Sequence, residues 1–230
     1  MGTLVLVRHG QSQWNLENRF TGWWDVDLSP GGEEEARKAG RRLAAARVEP
    51  DLLFTSVLTR AVRTATILVE ELDRVWIPVE RHWRLNERHY GGLTGLDKAG
   101  IEARHGREQF LAWRRGYATP PPPMRPGDRY DVRGDARYAG VGPGVVPLTE
   151  CLADVVARMV PYWQDRIAPA VLAGACPLVV AHCNSLRALV KHLEGIADED
   201  IPGLEIPTGV PILYHLDRGL GIEDKQVLEG

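Results

Sequence analysis

"TLVLVRHGQSQWN", residues 3–15, sets an apolar run directly before an arginine, a histidine and a glycine. Leu4, Val5, Leu6 and Val7 show no alternation of apolar and polar residues. That is the pattern of a strand covered on both faces, and such strands belong to parallel sheets packed between helices. Ligands of those sheets bind beyond the C-terminal ends of the strands. Arg8 and His9 therefore stand where chemistry is usually done, and Gly10 permits a sharp turn or a close backbone approach.

The chain that follows keeps a strand–helix rhythm. "LSPGGEEEARKAGRRLAAAR" reads as a helix with Ser29 at its N-cap, Pro30 at its first position, acids from Glu33 to Glu35 early, and Arg41, Arg42 and Arg47 late. "DLLFTSVL" supplies a second strand, "TRAVRTATILVEEL" a second helix and "VWIPVE" a third strand. The segment from about 86 to 147 interrupts the rhythm with a helical stretch around Ile101 to Arg115, an extended "TPPPPM" and a glycine-rich loop. "LTECLADVVARMVPYWQDRIAPAVLAG" then predicts one long amphipathic helix kinked at Pro161, "PLVVAHCNS" a strand, "LRALVKHLEGI" a helix and "VPILYHLD" the last strand. The expected fold is α/β, a three-layer sandwich whose mostly parallel central sheet is flanked by helices. One domain spans residues 1–230, with the insertion at about 86–147 lying over the active-site edge.

Composition narrows the function. With 230 residues and 44% hydrophobic content the chain can bury one large core. A net charge of −3 carries no signature of nucleic-acid binding, so any anion site must be a local cluster of basic residues. Cys151, Cys176 and Cys183 are odd in number and form no CxxC pair, which argues against a disulfide framework or a cysteine zinc site. No apolar stretch approaches the roughly 20 residues of a membrane span, and the first residues lack a signal-peptide pattern. These features predict a soluble cytoplasmic protein without nucleic-acid or membrane partners.

One local echo carries the functional argument. "VLVRHGQS" and "LVVAHCNS" each place a histidine, a small residue, a side-chain amide and a serine after an apolar strand. His9 and His182 should thus emerge at the same end of one sheet. Zinc wants three or four ligands, and His82, His89, His105, His192 and His215 show no ligand spacing, so no metal is expected. Neither Ser12 nor Ser185 lies in a GxSxG elbow. What remains is phosphate chemistry. Arg8, Arg60, Arg88 and the doublet Arg114–Arg115 suit guanidinium forks around phosphoryl or carboxylate oxygens, with Lys98 a further cation; the same residues also fit solvated surface charge. A histidine nitrogen that attacks phosphorus must be neutral, with its other nitrogen held by an acceptor. Glu87 in "LNERHYGGLTG" is the acid best placed to protonate a leaving alkoxide, a salt bridge with Arg88 or another arginine being its alternative role. Among the tryptophans, Trp14, Trp23 and Trp24 are expected beside the strand end, and Trp76, Trp83, Trp113 and Trp163 in the core or at its margin.

Seven segments, "VRHGQSQWN", "FTGWWDVDLS", "FTSVLTRAVRTA", "RLNERHYGGLTGLDKA", "WRRGYATPPPPM", "AHCNSLRALVKHLEGI" and "IPTGVPILY", together resemble the cofactor-dependent phosphoglycerate mutases of the histidine phosphatase superfamily. The resemblance runs from residue 4 to about residue 216. It implies that His9 is the phosphorylated nucleophile, that His182 stabilises the transferring group, and that Glu87 donates and accepts the proton. Arg8, Arg60 and Asn15 would line the phosphoryl pocket, joined by Asn184. Thr21, Gly22, Arg88, Tyr90, Lys98, Arg114 and Arg115 would hold the rest of a phosphoglycerate. The family uses 2,3-bisphosphoglycerate as primer, needs no metal, interconverts 3- and 2-phosphoglycerate, and often forms dimers or tetramers.

Two departures stand out. Cys183 replaces the family's glycine after the second histidine; its backbone N–H still reaches the substrate site, but a side chain there would crowd the pocket or suffer at a positive φ. Only "DRGLGIEDKQVLEG" follows the expected last strand, where the family carries a longer tail over the active-site mouth, so a higher ratio of hydrolysis to isomerisation is expected. A phosphatase or phosphotransferase acting on another small phosphate ester is the alternative activity. A silent phosphometabolite-binding protein fits less well with His9, His182 and Glu87 all present.

Overall fold

The structure, a computed structural model, describes residues 2–142 and 144–229; Met1, Pro143 and Gly230 lie outside the described residues. In chain order its elements are β1 (Gly2–Arg8), α1 (Gln13–Leu16), α2 (Pro30–Ala45), β2 (Leu52–Thr55), α3 (Thr59–Glu71), β3 (Val79–Arg81), α4 (Lys98–His105) and α5 (Arg107–Arg115). There follow α6 (Leu152–Tyr162), α7 (Ala168–Leu172), β4 (Pro177–Ala181), α8 (Cys183–Glu194), β5 (Pro211–Leu216) and β6 (Ile222–Val227). The strands form one sheet in the order β3-β2-β4-β1-β5-β6. Pairing is parallel from β3 through β2 and β4 to β1, and antiparallel from β1 to β5 and from β5 to β6.

The unbroken apolar run of β1 has a direct cause. Leu4 and Leu6 face a core built with α6, α7 and α8, while Val5 and Val7 face a second core built with α2 and α3. All four side chains are fully buried, so no polar alternation is possible. The expected cap of α2 is present: the Ser29 hydroxyl accepts the Gly32 N–H at 3.1 Å, and Pro30 opens the helix.

Four expectations need correction. The strand "VPILYHLD" is not the last, because residues that looked like a tail form β6 and pair along β5. That segment is mostly exposed and charged, as suits an edge strand, so it lacks the apolar pattern used to find strands. The helix after Cys151 runs on to Leu172 but is not α throughout: a π turn at Trp163–Ile167 lies between α6 and α7. Pro161 and Pro169 bracket that turn, and neither has an N–H for the ladder. The helical stretch 101–115 is two helices that break at Gly106, whose φ is +81°. Trp76 lies before β3 and is 67% exposed rather than at the core margin.

The segment between β3 and α6 packs on the loop that joins α1 to α2. Phe20 of that loop is buried with Leu93, Ile101, Phe110 and Trp113, and Trp23 with Val132 and Tyr138. Those contacts hold Thr21 and Gly22 over the C-terminal edge of the sheet.

Candidate active site

The C-terminal ends of β1 and β4 lie side by side, with Arg8 in register with Ala181. Each strand therefore delivers its histidine to the same place, and the rings of His9 and His182 meet edge-on at 4.8 Å between centroids. Around them opens a cavity lined by thirteen of the residues expected from sequence: Arg8, His9, Asn15, Thr21, Gly22, Arg60, Glu87, Tyr90, Lys98, Arg114, Arg115, Cys183 and Asn184. Arg19, Phe20, Arg187 and Glu205 also line it. His182 and Arg88 do not; both are fully buried behind the wall.

His9 is held by its backbone. Its Nδ1 lies 2.7 Å from the Gly10 carbonyl oxygen, which can only accept, so Nδ1 carries the hydrogen and Nε2 keeps its lone pair. Burial, then the cations of Arg60 and Arg8, push the His9 pKa well below the usual imidazole range. The ring is thus a neutral, aimed nucleophile. Gly10 serves this geometry through packing rather than through a ligand: a Cβ there would sit 2.1 Å from the Gly32 carbonyl oxygen at the start of α2.

His182 is the N-cap of α8 and is likewise kept neutral by burial and the Arg60 charge. Its Nε2 contacts the Ser56 hydroxyl at 2.8 Å. Arg60 donates to the carbonyls of Gly22 and Trp24, at 2.7 and 3.2 Å. Burial lowers its pKa to about 10, partly offset by Glu87 and Asp25, so it stays charged at neutral pH. Gly22, expected to hold substrate, positions Arg60 through its carbonyl and needs its left-handed φ of +62°.

Glu87 receives three N–H donors on one oxygen. Oε1 accepts from the backbone of Arg88 at 2.7 Å, the backbone of Asn184 at 3.2 Å and the Asn184 amide at 2.8 Å. Asn184, expected to touch substrate, has its amide committed to Glu87, to the Tyr90 hydroxyl and to Arg187. The alternative of a Glu87–Arg88 ion pair does not occur; the Arg88 guanidinium donates to the Arg114 carbonyl at 2.6 Å and to the Tyr90 hydroxyl. Arg88 thus supports the wall from behind.

The outer wall is cationic. Lys98 has its pKa lowered to about 8 by burial and by Arg114 and Arg8. Arg114 lies over the Phe110 ring, and Arg115 pairs with Glu205 at 2.5 Å. Asn15 uses Oδ1 to accept the Ser12 N–H at 3.1 Å, a helix-start box that leaves Nδ2 uncommitted. In all, seven arginine and lysine side chains but only two carboxylates line the cavity. Arg8 Nε, Thr21 Oγ1, Arg88 Nε and Nη1, Arg187 Nε and His182 Nδ1 are buried polar atoms without a partner among the described residues. Such atoms are costly unless a ligand or water meets them. Cys183 opens α8 at a φ outside the left-handed region, so the strain expected from replacing glycine is absent.

Four lining residues escaped the sequence reading. Arg187 sits one helical turn after Asn184, a spacing that could have pointed to it. Phe20, Arg19 and Glu205 carry no signal of their own, since loop packing alone brings them in.

The arrangement is a neutral imidazole with a free Nε2, a second buried imidazole, a carboxyl group and a ring of guanidinium donors. It can pass a phosphoryl group to nitrogen and protonate an alkoxide. The family model for the histidine phosphatase superfamily (branch 1) matches residues 4–136, and the chain belongs to that superfamily. The 2,3-bisphosphoglycerate-dependent phosphoglycerate mutase of Thermobifida fusca is 59% identical over 94% of this chain and 88% of its own length. The enzyme of the same name from Sphingopyxis alaskensis is 55% identical over 99% of both chains. Within the superfamily the chain therefore falls in the family of these mutases. Among solved structures, a mycobacterial glucosyl-3-phosphoglycerate phosphatase is similar at a TM-score of 0.74 and 26% identity, over 99% of this chain and 97% of that one.

Among the described residues no group of three or more histidine, cysteine or acidic side chains is placed to hold a metal ion. Among the same residues no helix is long and apolar enough to cross a membrane.

Proposed function

We propose that this chain interconverts 3-phosphoglycerate and 2-phosphoglycerate through phosphorylated His9. The observation that carries the reading is the Gly10 carbonyl on His9 Nδ1, which leaves Nε2 free in a cavity that Arg8 and Arg60 also line. Nε2 attacks phosphorus, a P–N bond forms, and the P–O bond to the sugar-acid oxygen breaks. Glu87 gives the leaving alkoxide its proton. In the return step Glu87 takes a proton from the neighbouring hydroxyl as that oxygen attacks phosphorus and the P–N bond breaks. Arg8 and Arg60 offset the charge of the group in flight, where preorganised donors act most strongly, with neutral His182 packed edge-on against the His9 ring.

The cavity suits 2,3-bisphosphoglycerate as primer, because two phosphates and a carboxylate call for more cations than one phosphate would. Arg8 and Arg60 would take one phosphate; Lys98, Arg114 and Arg115 would take the far end. When bound, the primer supplies the phosphoryl group that charges His9. Loading an anion would also restore Lys98 toward its ordinary pKa. We further take the chain to act in the cytoplasm as one domain and as a homo-oligomer, dimer or tetramer, a state that light scattering on the purified enzyme reads directly.

Phosphorus NMR with 3-phosphoglycerate and a trace of 2,3-bisphosphoglycerate tests the activity, with His9→Ala as control. The expected result is 2-phosphoglycerate growing faster than inorganic phosphate. Inorganic phosphate as the sole product would replace the mutase reading with a phosphatase.

A further inference from the structure

Arg187, in the first turns of α8, is 1% exposed, and among the described residues no carboxylate lies within 4 Å of it. A buried cation without a counter-ion is costly, so its bonds need a reason. It makes three. Nη1 donates to Asn184 Oδ1 at 2.9 Å, and Nη2 to the carbonyls of Ile201 and Arg115 at 2.6 and 3.1 Å.

The first bond acts with the Glu87 carboxylate to set the orientation of Asn184. A guanidinium has donors only, so the amide must turn Oδ1 toward Arg187 and Nδ2 toward Glu87. Flipped, the amide would set an oxygen against the Glu87 carboxylate and an NH2 against the cation. In the observed sense Nδ2 donates to Glu87 Oε1 at 2.8 Å and to the Tyr90 hydroxyl at 3.2 Å. With the Arg88 and Asn184 backbone N–H groups on the same oxygen, Oε1 is saturated with donors and cannot carry a proton as well.

We propose that Arg187 is a positioning residue for phosphoryl transfer, fixing the Asn184 amide so that Glu87 gives and takes its proton at Oε2. This rests on the reading of Glu87 as proton donor and acceptor. The bond to the Arg115 carbonyl extends the same linkage to the end of α5, which carries Arg114 and Arg115. One guanidinium thereby ties the acid–base group to the arm that faces the far end of the substrate.

A double-mutant cycle tests it. Transfer of labelled phosphate from 2,3-bisphosphoglycerate to His9 is followed in single turnovers for the wild type, Arg187→Met, Glu87→Gln and the double variant. Arg187→Met is expected to slow transfer about tenfold when Glu87 is present and less than about twofold in the Glu87→Gln background, because both changes remove one function. Equal losses in the two backgrounds would overturn the proposal and leave Arg187 with a general structural role. If Glu87→Gln transfers at the wild-type rate, the acid–base reading itself falls. Should Arg187→Met fail to fold, Arg187→Gln replaces it in the same cycle. A neutral amide can offer Asn184 either a donor or an acceptor, so it no longer imposes one orientation, and the same pattern of loss is expected.

Discussion

At the scale of single residues, chemistry depends on which atom of each side chain is already spoken for. His9 loses the freedom of Nδ1 to a backbone carbonyl and gains a defined nucleophile at Nε2. Glu87 receives every donor on Oε1. Cys183 is the residue whose sequence reading suggested strain or crowding, and its backbone explains why no strain follows. Its φ lies outside the left-handed region, and its side chain forms part of the cavity wall. Cys183→Gly should therefore relieve no strain. We expect mutase turnover within ~3-fold of the wild type and a loss of roughly 0.5–1 kcal/mol from added backbone freedom, read by urea denaturation. A large gain in either quantity would mean the thiol crowds the site.

Among the elements, the loop that carries Glu87 has little regular structure and is fixed by one arginine of α6. Arg158 donates to the carbonyls of Arg84, Asn86 and Glu87 at 2.6, 3.0 and 2.9 Å, and pairs with buried Glu150 at 2.6 Å. Glu150 in turn accepts the His89 N–H at 2.7 Å. Arg158→Met removes these bonds and strands a buried carboxylate, so a loss of about 3–5 kcal/mol in unfolding free energy is expected. The surviving folded enzyme should show a lower rate of proton-dependent transfer from a displaced Glu87. Unchanged stability would show that the loop is held by packing instead.

What could be read in the sequence at this scale follows from periodicity. The caps of α2, the strand at Leu4–Val7 and the helix at Thr59–Glu71 have strong local signals, and they are where they were expected. β6 has none, since an exposed edge strand needs no apolar face. The π turn between Pro161 and Pro169 follows from two missing donors whose joint effect no pattern reveals. The histidines were legible because each ends a buried strand. Arg158, Glu150 and Ser56 were not, because their roles arise from contacts between segments distant in sequence.

For the whole molecule, the price of a neutral catalytic centre is sensitivity to acid. Burial, as the leading cause, pushes His9, His182 and His89 below the ordinary imidazole range, His89 to about 4. Each is uncharged in the folded state at pH values where the unfolded chain takes up a proton. Stability from these groups is therefore complete above the unfolded pKa of about 6.5 and is lost as pH falls below it. Three rings that stay neutral in the folded state should together lower the unfolding free energy by about 4 kcal/mol at pH 5.5 relative to pH 7.5. Urea midpoints at the two pH values measure this. A midpoint that stays constant would mean that these rings take up protons in the folded protein as readily as in the unfolded chain.

The chemistry turns on His9 Nε2 as the atom that carries the phosphoryl group. The direct measurement is phosphorus–nitrogen correlated NMR of enzyme labelled with nitrogen-15 in its histidines and charged with 2,3-bisphosphoglycerate. A single phosphohistidine signal coupled to Nε2, absent in His9→Asn, is the predicted result. Phosphorus on Nδ1, on His182, or on no histidine at all would contradict it.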